Sequence, residues 1–207
     1  MLSVINKIDM VETYKNLIDD LKAKLKQHGF IKKGNVFYLT PNENFGVIEF
    51  QKSRDSTKDN IKFTINVGTC SNVLMKIKEE DKFKGFQFDQ CHWKTRIGRL
   101  LPVNTDYWWN INNQTNAAEL TEEVYRIIID IAVPEMMNHI TDEMLIETWK
   151  KQVAGGLTEY QRMINVVSLL KARKSEELSV VANAIREEVK GTRLASSIEE
   201  DFKELGI

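Results

Sequence analysis

Ile61-Lys62-Phe63-Thr64-Ile65-Asn66-Val67-Gly68 alternates apolar and polar side chains without a slip. Side chains of an extended chain point to opposite faces with a period of two, so Ile61, Phe63, Ile65 and Val67 share one face and Lys62, Thr64 and Asn66 the other. That pattern predicts a half-buried antiparallel strand. Gly46 to Ser53, which contains Ile48, Glu49, Phe50 and Gln51, repeats it upstream. Cys91 to Ile97 repeats it downstream, with Cys91, Trp93 and Ile97 on one face and His92, Lys94 and Arg96 on the other. Ile31 to Thr40 reads as a first strand, joined to the second through the turn-rich Pro41-Asn42-Glu43-Asn44. Trp108, Trp109 and Ile111 suggest a short fifth strand. Asp55 to Asn60 reads as a loop, and Ser71 to Gln90 as a long charged connection with a short helix over 71–80.

Elsewhere the period changes to 3.6. Tyr14, Leu17, Ile18, Leu21 and Leu25 form one stripe of a helix from about Asp9 to His28, stopped by Gly29. Leu120, Val124, Ile127, Ile128 and Ile131 form another, with Asn116 and Glu119 at its start, and Pro134 is expected to kink or end it. From Thr141 the chain reads as short amphipathic helices: Met144 to Val153, Thr158 to Ala172 with Thr158 and Gln161 as a capping box, Ser175 to Lys190, and Ser197 to Leu205. The expected fold class is therefore α+β: an antiparallel sheet of four or five strands packed by the N-terminal helix and a central helix, with a helical C-terminal appendage. The least abrupt division is an α+β domain over 1–140 and a helical extension over 141–207.

The chain has 207 residues, 42% of them hydrophobic and 29% charged, which suits a core of ordinary size and disfavours wholesale disorder. Net charge is -1, which offers no global attraction to nucleic acid or anionic membrane. The halves differ. Residues 1–110 carry 18 Lys and Arg against 13 Asp and Glu, and residues 111–207 carry 11 against 17. Opposed halves attract one another, face different partners, or are simply two solvated surfaces, the last being the leading reading. No stretch reaches the roughly 18 apolar residues of a membrane span, and the short apolar run at the N-terminus is broken by Asn6, Lys7 and Asp9. With two cysteines only, Cys70 and Cys91, the expectation is a cytoplasmic protein without a disulfide.

Gly29-Phe30-Ile31-Lys32-Lys33-Gly34, Phe50-Gln51-Lys52-Ser53, Phe63 to Gly68, Cys91 to Gly98 and Trp108-Trp109 together resemble, in that order, the pattern of domain of unknown function 4304. The resemblance covers about Val11 to Ile140. It implies a bacterial, cytoplasmic protein; it implies no activity and carries over no functional residue.

Motifs for known chemistry are absent. Gly29 to Gly34 has P-loop glycine spacing, but Asn35 stands where Lys is needed and the segment leads from a helix into a strand. His28, His92, His139, Cys70 and Cys91 lack zinc-type spacing, so no metal or other cofactor is expected. Cys91 and His92, adjacent on a strand, point apart and read as a buried thiol and a separate imidazole. The best candidate site is the polar face of the sheet, where Glu49, Asn66, His92, Lys94 and Arg96 gather with Gln51, Lys62 and Thr64. Arg96 suits bidentate grip of a carboxylate or phosphate; of the adjacent Trp108 and Trp109 one is expected to be buried and the other more exposed, and Trp108 is the one taken as a ligand-binding candidate. The competing possibility is a merely solvated face with charges cross-paired.

The leading expectation is a non-enzymatic binding or interaction protein for an unknown protein partner or a small anionic ligand, an immunity-type role being one version. The alternative is an enzyme acting on a small anionic substrate, with Arg96 and Lys94 holding the anion and His92 or Glu49 moving a proton. A closed pocket joining His92 to Glu49 favours the enzyme; an open face favours binding.

Overall fold

The computed structural model describes residues 9–77 and 87–207. In chain order it contains α1 (Met10–Lys26), β1 (Ile31–Lys33), β2 (Val36–Leu39), β3 (Phe45–Lys52), β4 (Ile61–Cys70) and α2 (Asn72–Ile77). A 3-10 turn (Phe88–Gln90), β5 (Trp93–Arg96), α3 (Ile97–Leu100), β6 (Trp109–Ile111) and α4 (Ala117–Ile127) follow. The chain ends with α5 (Val133–Met137), α6 (Asp142–Lys150), α7 (Glu159–Ala172), α8 (Leu178–Val189) and α9 (Ala195–Glu204). It is an α+β fold with a helical C-terminal region, and its sheet is antiparallel and open.

Strands run β1-β2-β3-β4-β5, with β6 pairing the same outer edge of β4 as β5, farther along the strand. The apolar face carries Ile48, Phe50, Phe63, Ile65, Val67 and Trp109, all buried. α1 brings Leu17, Ile18, Leu21 and Leu25 to it, and α4 brings Leu120 and Val124. Asp9 caps α1 and Asn116 caps α4, each side chain accepting from two backbone N–H groups of the first turn.

The segment expected as one strand over Ile31 to Thr40 is instead a hairpin. Lys33 pairs with Val36, leaving Gly34-Asn35 as a two-residue loop, and Gly34 takes the positive φ of 63° that such a loop needs at its first position. Pro134 does not end its helix. The backbone widens to a π turn over Ile128–Ala132 immediately before it, which absorbs the N–H that proline cannot supply, and helix resumes as α5. The predicted helix over 71–80 is present as α2; its last residues lie outside the described ones.

The C-terminal helices share the apolar core with the sheet: Trp149, Val167, Leu169, Ile198 and Phe202 belong to the same cluster as Phe63. Arg162 is a charged residue sunk into this part, 2% exposed. It donates to Glu159 and Glu188 at 2.7 Å each and to the Trp149 carbonyl at 3.0 Å, so it fastens α6, α7 and α8 together. The loop from α6 to α7 packs on the outer edge of β5, where the Lys94 N–H donates to the Gly155 carbonyl at 2.8 Å. The tail thus covers part of a sheet edge and leaves the polar face open.

Two measurements test this packing. Gly156 has φ of 80°, and a Cβ there falls 2.1 Å from the Lys94 carbonyl oxygen, whereas Gly191, at φ of 74°, has open space. Urea unfolding should show Gly156→Ala losing about 2–4 kcal/mol and Gly191→Ala about 1, the difference being the collision with β5. His139 stacks on Trp93 with ring centroids 4.2 Å apart, and burial lowers its imidazole below the ordinary 6.5 while Glu135 partly opposes the shift. The fold therefore favours the neutral ring. Its contribution is complete above 6.5 and shrinks as pH falls below that value, so stability should decline between about pH 7 and 5, and less steeply in His139→Gln.

Candidate functional site

Cross-strand pairing sets the polar face. Lys33 pairs with Val36, Val36 with Glu49, Glu49 with Asn66, and Asn66 with Arg96, so these five residues form one row across five strands. Above it lies an open groove of about 1130 Å³ whose lining includes Lys33, Glu49, Gln51, Asn66, Lys94 and Arg96. Lys52 and Arg99 add two more cations to its wall, against the carboxylates of Glu49 and Asp89. The balance favours an anion.

Asn66 forms the floor. It is 3% exposed, and its Nδ2 donates at 3.0 Å to both Glu49 Oε2 and Gln51 Oε1. A carboxylate only accepts, so the amide nitrogen must face Glu49, which fixes the amide orientation. Asn66 Oδ1 is then left buried with no hydrogen-bond partner among the described residues. A buried acceptor without a donor costs about 1–3 kcal/mol. The groove floor thus holds a buried acceptor with no donor among the described residues, beside a carboxylate.

Arg96 is held from two sides. Its guanidinium donates to Asp106 Oδ1 at 2.7 Å and to Gln51 Oε1 at 3.4 Å, and it lies 5.3 Å from the centroid of the Trp108 ring. Trp108 Nε1 donates to the other Asp106 oxygen at 2.8 Å, and Lys62 Nζ sits 5.3 Å from the same ring. The bonds from Arg96 and then Trp108 hold the Asp106 carboxyl below its usual range. Both ionic groups are substantially exposed, so the pair adds little stability; its effect is to aim the guanidinium. Lys94 Nζ donates to the Asp89 carbonyl at 3.1 Å, and Arg99 to the Asn104 carbonyl at 3.0 Å.

Of the candidates named from sequence, Glu49, Asn66, Lys94 and Arg96 meet in the groove, and Trp108 stands beside it on Arg96. His92 does not join them. The 3-10 turn at Phe88–Gln90 interrupts the extended chain just before β5, and His92 is 4% exposed, its Nδ1 accepting the Ser71 N–H at 3.0 Å. It lines a separate cavity of about 270 Å³ with Gln161 and Asn165 of α7. The same interruption turns Cys91 away from Trp93: it packs with Val36, Val47 and Cys70, its Sγ 3.2 Å from that of Cys70. Burial and then the Cys70 contact push the Cys91 thiol well up, which makes it a poor nucleophile. Trp109 faces the core, stacked on Phe63, as one member of an extended pair must. Lys33, Arg99 and Asp106 were not marked by the sequence pattern. Lys33 is hidden by the hairpin, and the other two stand in a one-turn helix and a loop, where strand alternation says nothing. Among the described residues there is no cluster of three or more His, Cys, Asp or Glu that holds a metal, and no helix is long and apolar enough to cross a membrane.

An open antiparallel sheet carrying a cation-walled groove on its polar face defines an α+β protein. The chain belongs to the family described as Domain of unknown function (DUF4304), which matches residues 21–138. That span runs from the middle of α1 through α5 and holds every groove residue named above. No curated protein sequence and no solved structure matches the chain.

Asn66→Asp tests the floor. A second carboxylate 3 Å from Glu49 replaces a donor, so one carboxyl of the pair is raised in the folded state and the variant should lose about 2 kcal/mol at pH 7. With the folded value raised, the penalty is present above it and vanishes below the unfolded value. Unfolding at pH 7 and near pH 4 should show the gap to wild type closing.

Proposed function

We propose that this chain is a non-enzymatic binding protein that takes a polar, anionic ligand into the sheet-face groove. The observation that carries this reading is the buried, unpartnered Asn66 Oδ1 on a floor flanked by Lys94, Arg96 and Arg99. A ligand that presents an N–H or O–H to the floor and a negative group to the wall satisfies both at once. Asp106 and Trp108 pre-orient Arg96, which lowers the ordering cost of binding. Catalysis is less well supported. Proton transfer needs the acid or base within hydrogen-bond reach of the reacting group, and His92 and Glu49 line different cavities. A bacterial, cytoplasmic setting belongs to the same reading, and neighbouring unbridged thiols at Cys70 and Cys91 suit a reducing compartment.

Native mass spectrometry of the protein purified gently from its natural source, beside Arg96→Ala, checks this. The expected result is an additional bound mass on the wild type that is reduced at least tenfold in the variant. A bound species of equal occupancy on both proteins places the binding surface elsewhere, and turnover of an anionic substrate that needs Glu49 replaces binding with catalysis.

A further inference from the structure

The row across the groove restricts what the ligand is. We infer, resting on the reading of the groove as a binding site, that its occupant is an extended segment of an acidic polypeptide about six residues long, not a small anion. Lys33 and Arg96 stand at the two ends of the row, with Val36, Glu49 and Asn66 between them. Four strand intervals of about 4.8 Å separate the ends, roughly 19 Å along the backbone level. Phosphate, a dicarboxylate or an amino acid does not bridge that span. An extended peptide does so in about six residues, at about 3.3 Å each.

The order of groups along the row fits the same occupant. Positive side chains stand at both ends, Arg96 with Asp106 beside it, and acidic side chains near both ends of the segment complement them. Between them Asn66 Oδ1 and the Glu49 carboxylate only accept, and backbone N–H groups are the donors a polypeptide brings to every position. Val36 gives the row one apolar step, continued by Phe88 on the groove wall, which matches one apolar side chain within an otherwise acidic or neutral segment. The volume of about 1130 Å³ exceeds what a single small metabolite fills and suits a surface that accepts a strand-like chain lying across the sheet.

The test is an NMR titration of the full-length chain at low ionic strength with four probes. They are a capped hexapeptide with glutamate at both ends and alanine, leucine and glycine between, the same peptide with glutamine at one end, ATP, and inorganic phosphate. The two-acid peptide is expected to shift the Asn66 side-chain amide and to bind at least tenfold more tightly than the other three. That advantage should disappear in Lys33→Glu and in Arg96→Glu and persist in Lys203→Glu, which changes the same charge on α9. Arg99→Glu repeats the test at the groove wall in case Arg96→Glu unfolds. Equal affinity for the one-acid and two-acid peptides overturns the inference, as does equal loss in Lys203→Glu. Tighter binding of ATP or phosphate, lost in Arg99→Glu, overturns the polypeptide while leaving the groove as an anion site. No binding by any probe removes both.

Discussion

Both edges of β4 are occupied, and the rest of the molecule follows from how that is achieved. One edge pairs with β3 over eight residues, and the other is divided between β5 near Cys70 and β6 near Ile61. Two short strands sharing one edge must be joined by a chain that leaves the sheet and returns. That excursion is α3 and the loop to Trp108, and Thr64 Oγ1 bridges the gap by donating to the Tyr107 carbonyl at 2.8 Å. The excursion brings Arg99, Asp106 and Trp108 over the polar face, so the arrangement around Arg96 is a consequence of strand pairing. Ten residues of β4, with Ile61, Phe63, Ile65 and Val67 buried against α1 and α4, supply the rigid base beneath it.

How much of this is legible in the sequence depends on whether a residue sits in a regular strand. Glu49, Gln51, Asn66, Lys94 and Arg96 were placed on one face by alternation alone, because each stands in an uninterrupted run where the period of two leaves no freedom. His92 and Cys91 were misplaced for the converse reason: the 3-10 turn before them breaks the period, and no apolar pattern announces a three-residue turn. Gly34-Asn35 carried a readable hairpin signal that a longer strand reading overrode. Asp106 had no local signal, since its importance comes from a contact ten residues away across the end of β5. The π turn is of the same kind, visible in Pro134 as a disturbance but not in its form.

Among the described residues, the opposed charges of the two halves do little to bind the tail to the sheet. Lys24 to Glu122 is an ion pair that joins the halves, and both partners are well exposed, so it contributes little. The acidic half pairs instead within itself, through Arg162 with Glu159 and Glu188, Arg186 with Glu199, and Lys150 with Glu147 and Glu177. What holds the halves together is apolar burial and a set of polar joints, including two that reach past residue 140. One is Asn44, which donates to Asp142 at the start of α6 and accepts from the Asn72 N–H at the start of α2. The other is the Gly155 carbonyl on β5.

Asn66 is where the polar face departs from a solvated one, on which charged and amide groups are reached by water. Asn66 is buried by its neighbours, has its nitrogen committed to Glu49 and Gln51, and keeps an oxygen with no donor at the floor of an open groove. Threonine or valine at this position would suit a strand better and carry no orphaned acceptor. The same strand shows what ordinary satisfaction looks like two residues away, where Thr64 buries its hydroxyl and gives it the Tyr107 carbonyl. The stability forfeited at Asn66 is recovered when a donor, whether an ordered water or a ligand group, reaches that oxygen.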